Sequence, residues 1–188
     1  MDRLTFRAFI AVELDEGFRA RELLPELERT GADIKLVEPP NIHATLKFLG
    51  ETPEDLVDGI VGVMEASVKG ISPFEVRFQG MGAFPNPRSI RVVWVGVQGA
   101  EPLGRMARAL DEGLEASGFQ KEARGFSPHI TLGRVRTPRR WGSLPALLER
   151  YADTEFGSMR IERIALKKSV LGPRGPAYTT VREVELKG

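Results

Sequence analysis

The four-residue pattern His-x-Thr-Leu occurs twice in this chain, at residues 43–46 and at residues 129–132. The 188 residues include only two histidines and nine threonines. If the threonines were placed at random, both histidines would have Thr two positions later in about 1 of 400 such chains. The repeat therefore indicates two related structural units rather than a coincidence.

The repeated pattern has a geometric meaning on a β-strand, where residues i and i+2 point to the same face; on a helix they lie on nearly opposite sides. In the first copy we expect His43, Thr45 and Lys47 on one polar face. In the second copy we expect His129 and Thr131 to face outward together. The apolar residues expected on the opposite faces are Ile42, Ala44, Leu46 and Phe48 in the first copy, and Ile130 and Leu132 in the second.

Strands and helices are predicted to alternate along the whole chain. Strands are expected at Thr5–Leu14, Ile42–Phe48, Phe74–Phe78, Ile90–Val97, His129–Val135, Ile161–Leu171 and Tyr178–Leu186. Helices are expected at Asp15–Arg29, from Thr52 to Gly70, from Pro102 to Gly118 and at Ser143–Tyr151. We expect Thr52 to cap the second helix, with Pro53 in its first turn. Each half contains a helix, a strand with His-x-Thr-Leu, a turn and another helix, which predicts two similar lobes.

The composition is that of an ordinary globular protein, with 41% hydrophobic and 28% charged residues. No long linker interrupts the chain, so we expect residues 1–188 to form a single domain. The chain has no cysteine, which excludes disulfides, thiolate catalysis and cysteine metal sites. It has no apolar run of about 20 residues and no signal-peptide layout, so a cytoplasmic protein is expected.

The net charge of +1 does not indicate a nucleic-acid-binding protein by itself, but basic residues cluster locally. Arg134, Arg136, Arg139 and Arg140 follow the second motif, and Lys167, Lys168 and Arg174 form a later group. Such clusters are either solvated surface or sites that bind anions. The position of the first cluster beside a histidine gives more weight to anion binding.

Two imidazoles and two hydroxyls that converge in one cleft would suit the hydrolysis of a phosphodiester. One neutral ring can deprotonate water while a protonated ring donates to the departing oxygen. The hydroxyls of Thr45 and Thr131 can donate hydrogen bonds to the phosphate oxygens. Two other interpretations are purely structural histidines and a metal site. A metal site would need further ligands, and neither motif carries Asp or Glu at a suitable spacing, so we expect no metal. The residues alone do not decide which histidine, His43 or His129, is the acid.

The two motifs resemble the paired His-x-Thr-x signatures of the two-histidine (2H) phosphoesterases. More closely, the chain resembles the bacterial and archaeal RNA 2′,3′-cyclic phosphodiesterases, historically called 2′-5′ RNA ligases. The resemblance extends nearly from end to end. It includes the segments RAFIAVEL, NIHATLKFLGE, IRVVWVGV, FSPHITLGRV and LKKSVLGPRGPAYTTV.

This resemblance implies a bilobal α+β fold with two pseudo-symmetric lobes, each with an antiparallel sheet and outer helices, and an active cleft between the lobes. It implies metal-independent opening of RNA 2′,3′-cyclic phosphate ends to 2′-phosphates, without a cofactor. By resemblance, His43 would protonate the departing 3′ oxygen and His129 would activate water, while Thr45 and Thr131 would bind the phosphate oxygens. Because a catalyst accelerates both directions, the site could also join RNA through a 2′-5′ linkage.

The chain departs from this family at one position, since Leu36 stands where members often have Trp before the first motif. Arg134, Phe126 and Trp141 are candidates for contacts to phosphate or base, since they lie close to the second motif. The expected partner is RNA with a cyclic phosphate end, including tRNA halves, bound by a monomer. The alternatives are a noncatalytic RNA-end binding protein, and a phosphodiesterase for small cyclic nucleotides or 2′-5′ oligonucleotides.

Overall fold

The structure is a computed structural model that describes residues 4–123, 125–137, 140–173 and 175–188 and contains strands and helices along the whole of these ranges. The strands are β1 (Thr5–Glu13), β2 (Ile34–Leu36), β3 (His43–Pro53), β4 (Phe74–Asn86), β5 (Ser89–Gln98), β6 (His129–Val135), β7 (Glu155–Ile161), β8 (Arg163–Gly172) and β9 (Gly175–Glu185). The helices are α1 (Leu24–Arg29), α2 (Val57–Val68), α3 (Glu101–Glu115) and α4 (Leu144–Arg150).

The strands form two antiparallel sheets, which confirms the predicted α+β fold class. The first sheet has the order β3-β1-β8-β9 and the second has the order β2-β6-β5-β4-β7. His43 begins β3 and His129 begins β6, so each sheet carries one copy of the repeated motif. Neither sheet is built from one half of the chain. The late strands β8 and β9 complete the first sheet, and the early strand β2 forms an edge of the second.

Helices pack against each sheet and bury its apolar face. In the first sheet α3 contacts β3 and α2 contacts β9, and in the second α4 contacts β4. Helix α3 has a proline in its first turn, where a backbone N–H would have no partner within the helix, so its absence breaks no hydrogen bond. Its buried residues recur at helical spacing: Leu103, Met106, Ala107, Leu110 and Leu114. None of the helices in the described ranges is long and apolar enough to span a membrane.

Several element boundaries differ from the sequence prediction. The helix expected over Asp15–Arg29 is instead a 3-10 turn at Arg19–Leu23 followed by α1, which has Pro25 in its first turn. A longer helix would place this proline in the interior, where its ring clashes with the preceding turn. Strands β2 and β7 were not predicted, and β4 extends eight residues beyond the predicted end at Phe78. Strand β2 has only three residues, and the extension of β4 contains Gly80, Gly82 and Pro85, residue types that are depleted in strands.

The predicted cap of α2 is wrong. Thr52 still belongs to β3, where it pairs with Phe6, and its hydroxyl donates to the carbonyl of Gly50 at 3.1 Å. A 3-10 turn at Glu54–Leu56 then leads into α2 at Val57. The strand pairing takes precedence over the local capping preference of the threonine, because the β1–β3 ladder extends to Pro53.

The alternation predicted for the first motif ends at a β-bulge. In the β1–β3 ladder Ala11 pairs with Thr45 and Ile10 pairs with Lys47, so that Leu46 has no partner. A bulge shifts the following residues to the other face. The predicted faces of Lys47 and Phe48 are therefore wrong: Lys47 is buried and Phe48 is 60% exposed.

The buried Lys47 links the first motif to the segment that leads toward the second. Its ammonium group lies 2.5 Å from the carboxylate of Asp111 on α3 and also donates to the carbonyl of Gln120. Asp111 in turn accepts from the backbone N–H of Glu122 at 3.0 Å. Each partner of the buried ammonium group would lose a charged donor if the lysine were replaced.

We predict that Lys47→Met lowers the free energy of unfolding by about 1–3 kcal/mol, because it leaves the Gln120 carbonyl and the Asp111 carboxylate without their donor. Urea unfolding of the variant and the wild type measures this difference. The exposed Lys69 provides a matched control, and Lys69→Met should change stability by less than about 0.5 kcal/mol. Equal stability of Lys47→Met and wild type would contradict this account of the buried pair.

Candidate active site

The bulge at Leu46 has a counterpart in the second motif. In the β5–β6 ladder Trp94 pairs with Thr131 and Val93 pairs with Gly133, so that Leu132 has no partner. Both motif leucines are buried, at 4% and 0% exposure. The sequence repeat therefore corresponds to a β-bulge that occurs in both sheets. In each copy His and Thr share one face of the strand before the bulge, and the pairing register shifts at the leucine.

The two motifs come together because β3 and β6 contact each other, although they belong to different sheets. Strand β3 is an edge strand of its sheet, which leaves one side free to face β6. His43, Thr45, His129 and Thr131 are all half-buried. This is the exposure expected of groups that line a cleft and remain accessible to a ligand.

Both histidines are oriented by the same hydrogen bond. His43 Nδ1 donates to the carbonyl of Asn41, and His129 Nδ1 donates to the carbonyl of Ser127, each at 2.7 Å. A carbonyl can only accept, so Nδ1 carries the proton in each neutral ring. Nε2 is then the nitrogen that can accept or deliver a proton in the cleft. In the first motif His43 Nε2 lies 2.9 Å from Thr45 Oγ1.

Aromatic side chains fix the planes of both imidazoles. Phe9 stacks on His43 with ring centroids 4.7 Å apart, and Tyr178 meets the same ring edge-on at 5.4 Å. Phe84 meets His129 edge-on at 4.9 Å. These contacts restrict each ring to one orientation, in which its Nδ1 hydrogen bond is retained.

The environment of His43 lowers its pKa below the usual value of 6.5. Burial is the main cause, since it disfavours the charged ring. The hydrogen bond to the carbonyl of Asn41 acts in the opposite direction. The positive charge of Lys167 lowers the pKa further, and the negative charge of Glu13 raises it. His43 is thus mainly neutral near pH 7 in the free protein.

A cavity of about 280 Å³ lies directly against His43. It is lined by Ala11, Glu13, Leu14, Arg21, Pro39, Pro40, Asn41, Ile42, His43, Lys167 and Tyr178. A larger groove of about 680 Å³ lies beside residues 48–51 and 117–123, and neither histidine lines it. Of these two cavities, only the smaller is lined by a histidine of the repeated pair, and that histidine is His43; His129, Thr45 and Thr131 are not among its lining residues.

Arg134 and Phe48 occupy equivalent positions in the two motifs, two residues after the bulge leucine. Both side chains are exposed. The ring of Tyr178 meets His43 edge-on. Burial raises the pKa of the Tyr178 hydroxyl above its usual value of 10.0, and the positive charges of Arg134 and Arg7 act in the opposite direction. Arg134 of the second sheet is therefore near enough to Tyr178 of the first for its charge to act on that hydroxyl. Sequence reasoning missed Phe48, because the simple alternation placed it in the core.

The sequence model of the 2′-5′ RNA ligase superfamily matches residues 19–172. This chain belongs to that superfamily. An RNA 2′,3′-cyclic phosphodiesterase of Methanothermobacter thermautotrophicus is 42% identical over 182 residues, which cover 96% of this chain and 98% of the relative. A protein with the same name from Archaeoglobus fulgidus is 38% identical, with 95% and 99% covered.

Solved structures of similar proteins share the fold over the whole chain. A crystal structure from Thermus thermophilus aligns with a TM-score of 0.77 at 32% identity and covers 97% of this chain and 98% of its own. Escherichia coli LigT in its apo form aligns with a TM-score of 0.76 at 23% identity, with both chains covered completely. The likeness to LigT concerns the fold alone.

The other residues named in the sequence analysis lie in the hydrophobic core or on the surface. Phe126, Trp141 and Leu36 are partly buried and pack against the hydrophobic core. Within the basic clusters, Arg136 and Arg140 are exposed and Lys167 is buried. Arg139 and Arg174 lie outside the described residues. Among the described residues, no group of three or more histidine or acidic side chains is placed to hold a metal ion.

We predict that His43 titrates with a midpoint below 6.5, because burial disfavours its charged form. Proton NMR measures this directly, and His129→Asn identifies the signal because the chain has only two histidines. The unfolded chain would bind more protons than the folded one just below pH 6.5, so the free energy of unfolding should fall as the pH decreases through that range. A midpoint at or above 6.5 would contradict the prediction.

Proposed function

We propose that this protein hydrolyses 2′,3′-cyclic phosphate ends of RNA to 2′-phosphates, without a metal ion. The observation that carries the proposal is the pair of histidines on contacting strands, each with Nδ1 bonded to a carbonyl and Nε2 left for proton transfer. The relatives named RNA 2′,3′-cyclic phosphodiesterase cover nearly the whole chain and support a phosphoester-cleaving enzyme.

In the proposed reaction, His129 Nε2 takes a proton from water, and the water oxygen forms a bond to phosphorus. The bond between phosphorus and the 3′ oxygen breaks, and His43 Nε2 gives a proton to that oxygen. The product is a 2′-phosphate monoester with a free 3′-hydroxyl group. Reversed proton transfers restore both rings for the next cycle. Acid and base therefore act on opposite sides of one phosphorus atom.

Hydroxyl and guanidinium groups would hold the phosphate while its charge develops. Thr45 Oγ1 already lies 2.9 Å from His43 Nε2, so a phosphate oxygen bound there can meet both groups. Thr131 has the equivalent place in the second motif. Arg134 adds a positive charge on the same side of the cleft, as its effect on Tyr178 supports. Preorganised donors of this kind act most strongly in partly desolvated sites.

The acid role requires His43 to be protonated, whereas burial favours its neutral form in the free protein. The negative charge of the bound phosphodiester would raise the pKa of the ring, because an opposite charge nearby favours the imidazolium. Substrate binding and proton uptake by His43 would then be coupled.

The same site would catalyse the reverse step, in which the 5′-hydroxyl of a second RNA replaces water and forms a 2′-5′ linkage. Hydrolysis should dominate in water, because water is present at a far higher concentration than RNA ends. We propose RNA ends such as those of tRNA halves as substrates and a cytoplasmic monomer as the active form. The absence of a joined product at high concentrations of RNA and enzyme would refute the ligation step.

The first test is hydrolysis of a short RNA with a 2′,3′-cyclic phosphate end in the presence of EDTA. We predict that His43→Ala and His129→Ala each lower kcat by about 10² or more, because each removes one proton-transfer group. Arg108→Ala, an exposed change on α3, is the matched control and should retain full activity. Chromatography of the product should show a 2′-phosphate.

Other outcomes of this experiment identify the other functions. Salt-sensitive binding of the RNA without turnover would indicate a noncatalytic RNA-end binding protein. Equal rates on the RNA and on a cyclic mononucleotide would indicate an enzyme for small cyclic phosphates. Inactivation by EDTA would contradict a metal-independent mechanism. Each result would replace the proposed activity rather than modify it.

The exposed Phe48 ring provides a surface on which a base of the bound RNA can stack. It lies on the same side of the sheet as Phe9, at a centroid distance of 6.4 Å, and Phe9 stacks on His43. Base stacking on an aromatic ring contributes about 1–3 kcal/mol per base. The aromatic row formed by Phe48, Phe9 and His43 would then continue from the reacting phosphate toward a base.

We predict that Phe48→Ala raises KM for the oligonucleotide about fivefold or more, with little change in kcat, because it removes a binding contact and no reacting group. Steady-state kinetics on the same RNA measures both constants. Leu171→Ala removes another exposed apolar side chain of the same sheet, 68% exposed in the structure, and should leave KM unchanged. A similar KM for Phe48→Ala and wild type would exclude the stacking contact.

A further inference from the structure

An ion pair between a nearly buried lysine and a half-exposed carboxylate lies beside His43 and has no part in the reaction described above. Lys167 of β8 has a side chain only 10% exposed, and its ammonium group bonds the carboxylate of Glu13. The same ammonium group donates to Thr180 Oγ1 at 2.7 Å. A lysine is seldom buried to this extent unless it is paired, so the pair is a built feature of this sheet.

Both members of the pair lie on the β1 side of His43, because the strand order of this sheet is β3-β1-β8. Glu13 is the cross-strand partner of His43 in the β1–β3 ladder, so both side chains lie on the same face. Lys167 is the cross-strand partner of Phe9, whose ring stacks on the imidazole. Glu13, Lys167 and His43 also line one cavity. A carboxylate and an ammonium group, bonded to each other, thus act on one ring from the same side.

The two charges have opposite effects on the proton of His43. The carboxylate of Glu13 favours the imidazolium and the ammonium group of Lys167 disfavours it. While they are bonded to each other, much of each effect is cancelled at the ring. Arg21 lies in the wall of the same cavity, and Tyr178 on β9 meets the imidazole edge-on. Arg134 on β6 and Arg7 on β1 act on the hydroxyl of Tyr178. Strand β6, which begins with His129, contacts β3.

We propose that the Glu13–Lys167 ion pair balances two opposite charges beside His43, so that burial keeps the ring neutral before the substrate binds and the charge of the bound phosphate lets it hold a proton afterwards. This inference rests on the proposed function, in which His43 is the acid. The pair touches neither the water nor the phosphate in this assignment. Glu13 and Lys167 are therefore positioning residues that act through His43, not catalytic residues.

The inference predicts opposite effects when each end of the pair is removed. Lys167→Met leaves the carboxylate of Glu13 beside His43 without its cation, so the ring should keep its proton to higher pH. Glu13→Gln leaves the ammonium group of Lys167 unopposed, so the ring should lose its proton at lower pH. The double variant should behave like the wild type, since it removes both charges.

The first experiment measures kcat from pH 5 to pH 9 for these variants on RNA with a cyclic phosphate end. The rate should decline on the alkaline side at a pH higher by about half to one unit in Lys167→Met, and lower by a similar amount in Glu13→Gln. Lys168→Met is the matched control, because this lysine points to the other face of the sheet, over Phe6, and should leave the profile in place. A loss of activity at all pH values without a change of profile would indicate a structural role and overturn the inference.

The second experiment follows the NMR titration of His43 in the same variants without substrate. Opposite changes in its midpoint support the inference, and unchanged midpoints overturn it even if the enzyme is active. An inactive wild type would refute the proposed function, whereas the titration would still test the effect of the ion pair on His43. If Lys167→Met fails to fold, Glu13→Gln decides the question alone, because Glu13 is half exposed and its replacement keeps the shape of the side chain.

Discussion

The bulge at the leucine of each His-x-Thr-Leu motif is the constraint on which the site depends. Leu46 and Leu132 fill the core and have no partner in the ladders, so the residues on either side of them change face. Before each bulge, a histidine and a threonine face the cleft. After it, Phe48 and Arg134 return to exposed positions. A regular strand could not place residues 48 and 134 on the same face as the histidine and threonine of their motifs.

The two copies of the motif share this geometry but differ at the residue after the bulge. In the first copy Lys47 extends to Asp111 and Gln120. In the second copy the position is Gly133, where a Cβ atom would come within 2.8 Å of the side chain of Ile34 on β2. In the first sheet the residue after the bulge holds the loop that contains Gln120, and in the second its lack of a side chain leaves room for β2. The two motifs are therefore alike at the histidine, the threonine and the bulge leucine, and they differ at the next residue, where the packing differs.

The sequence predicts the parts of the fold and of the site that depend on local spacing. The duplicated motif predicts both histidine strands and the shared face of His and Thr, and helical spacing predicts α3. The remaining features depend on partners distant in the chain. The bulges arise in pairing with β1 and β5, and Thr52 joins a strand because Phe6 lies opposite. The Glu13–Lys167 pair could not be predicted, since 154 positions separate its members and neither belongs to a motif.

The exchange of strands between the two sheets has a consequence for how the protein is made. The first sheet is completed by β8 and β9, so a nascent chain that already contains both histidines still lacks half of the sheet that holds His43. Tyr178 and Lys167, which surround that ring, are added last. Because contacts between such distant segments form slowly and late in folding, an incomplete chain on the ribosome would have no assembled cleft. The imidazole of His43 would thereby acquire its full surroundings only after the two C-terminal strands have left the ribosome.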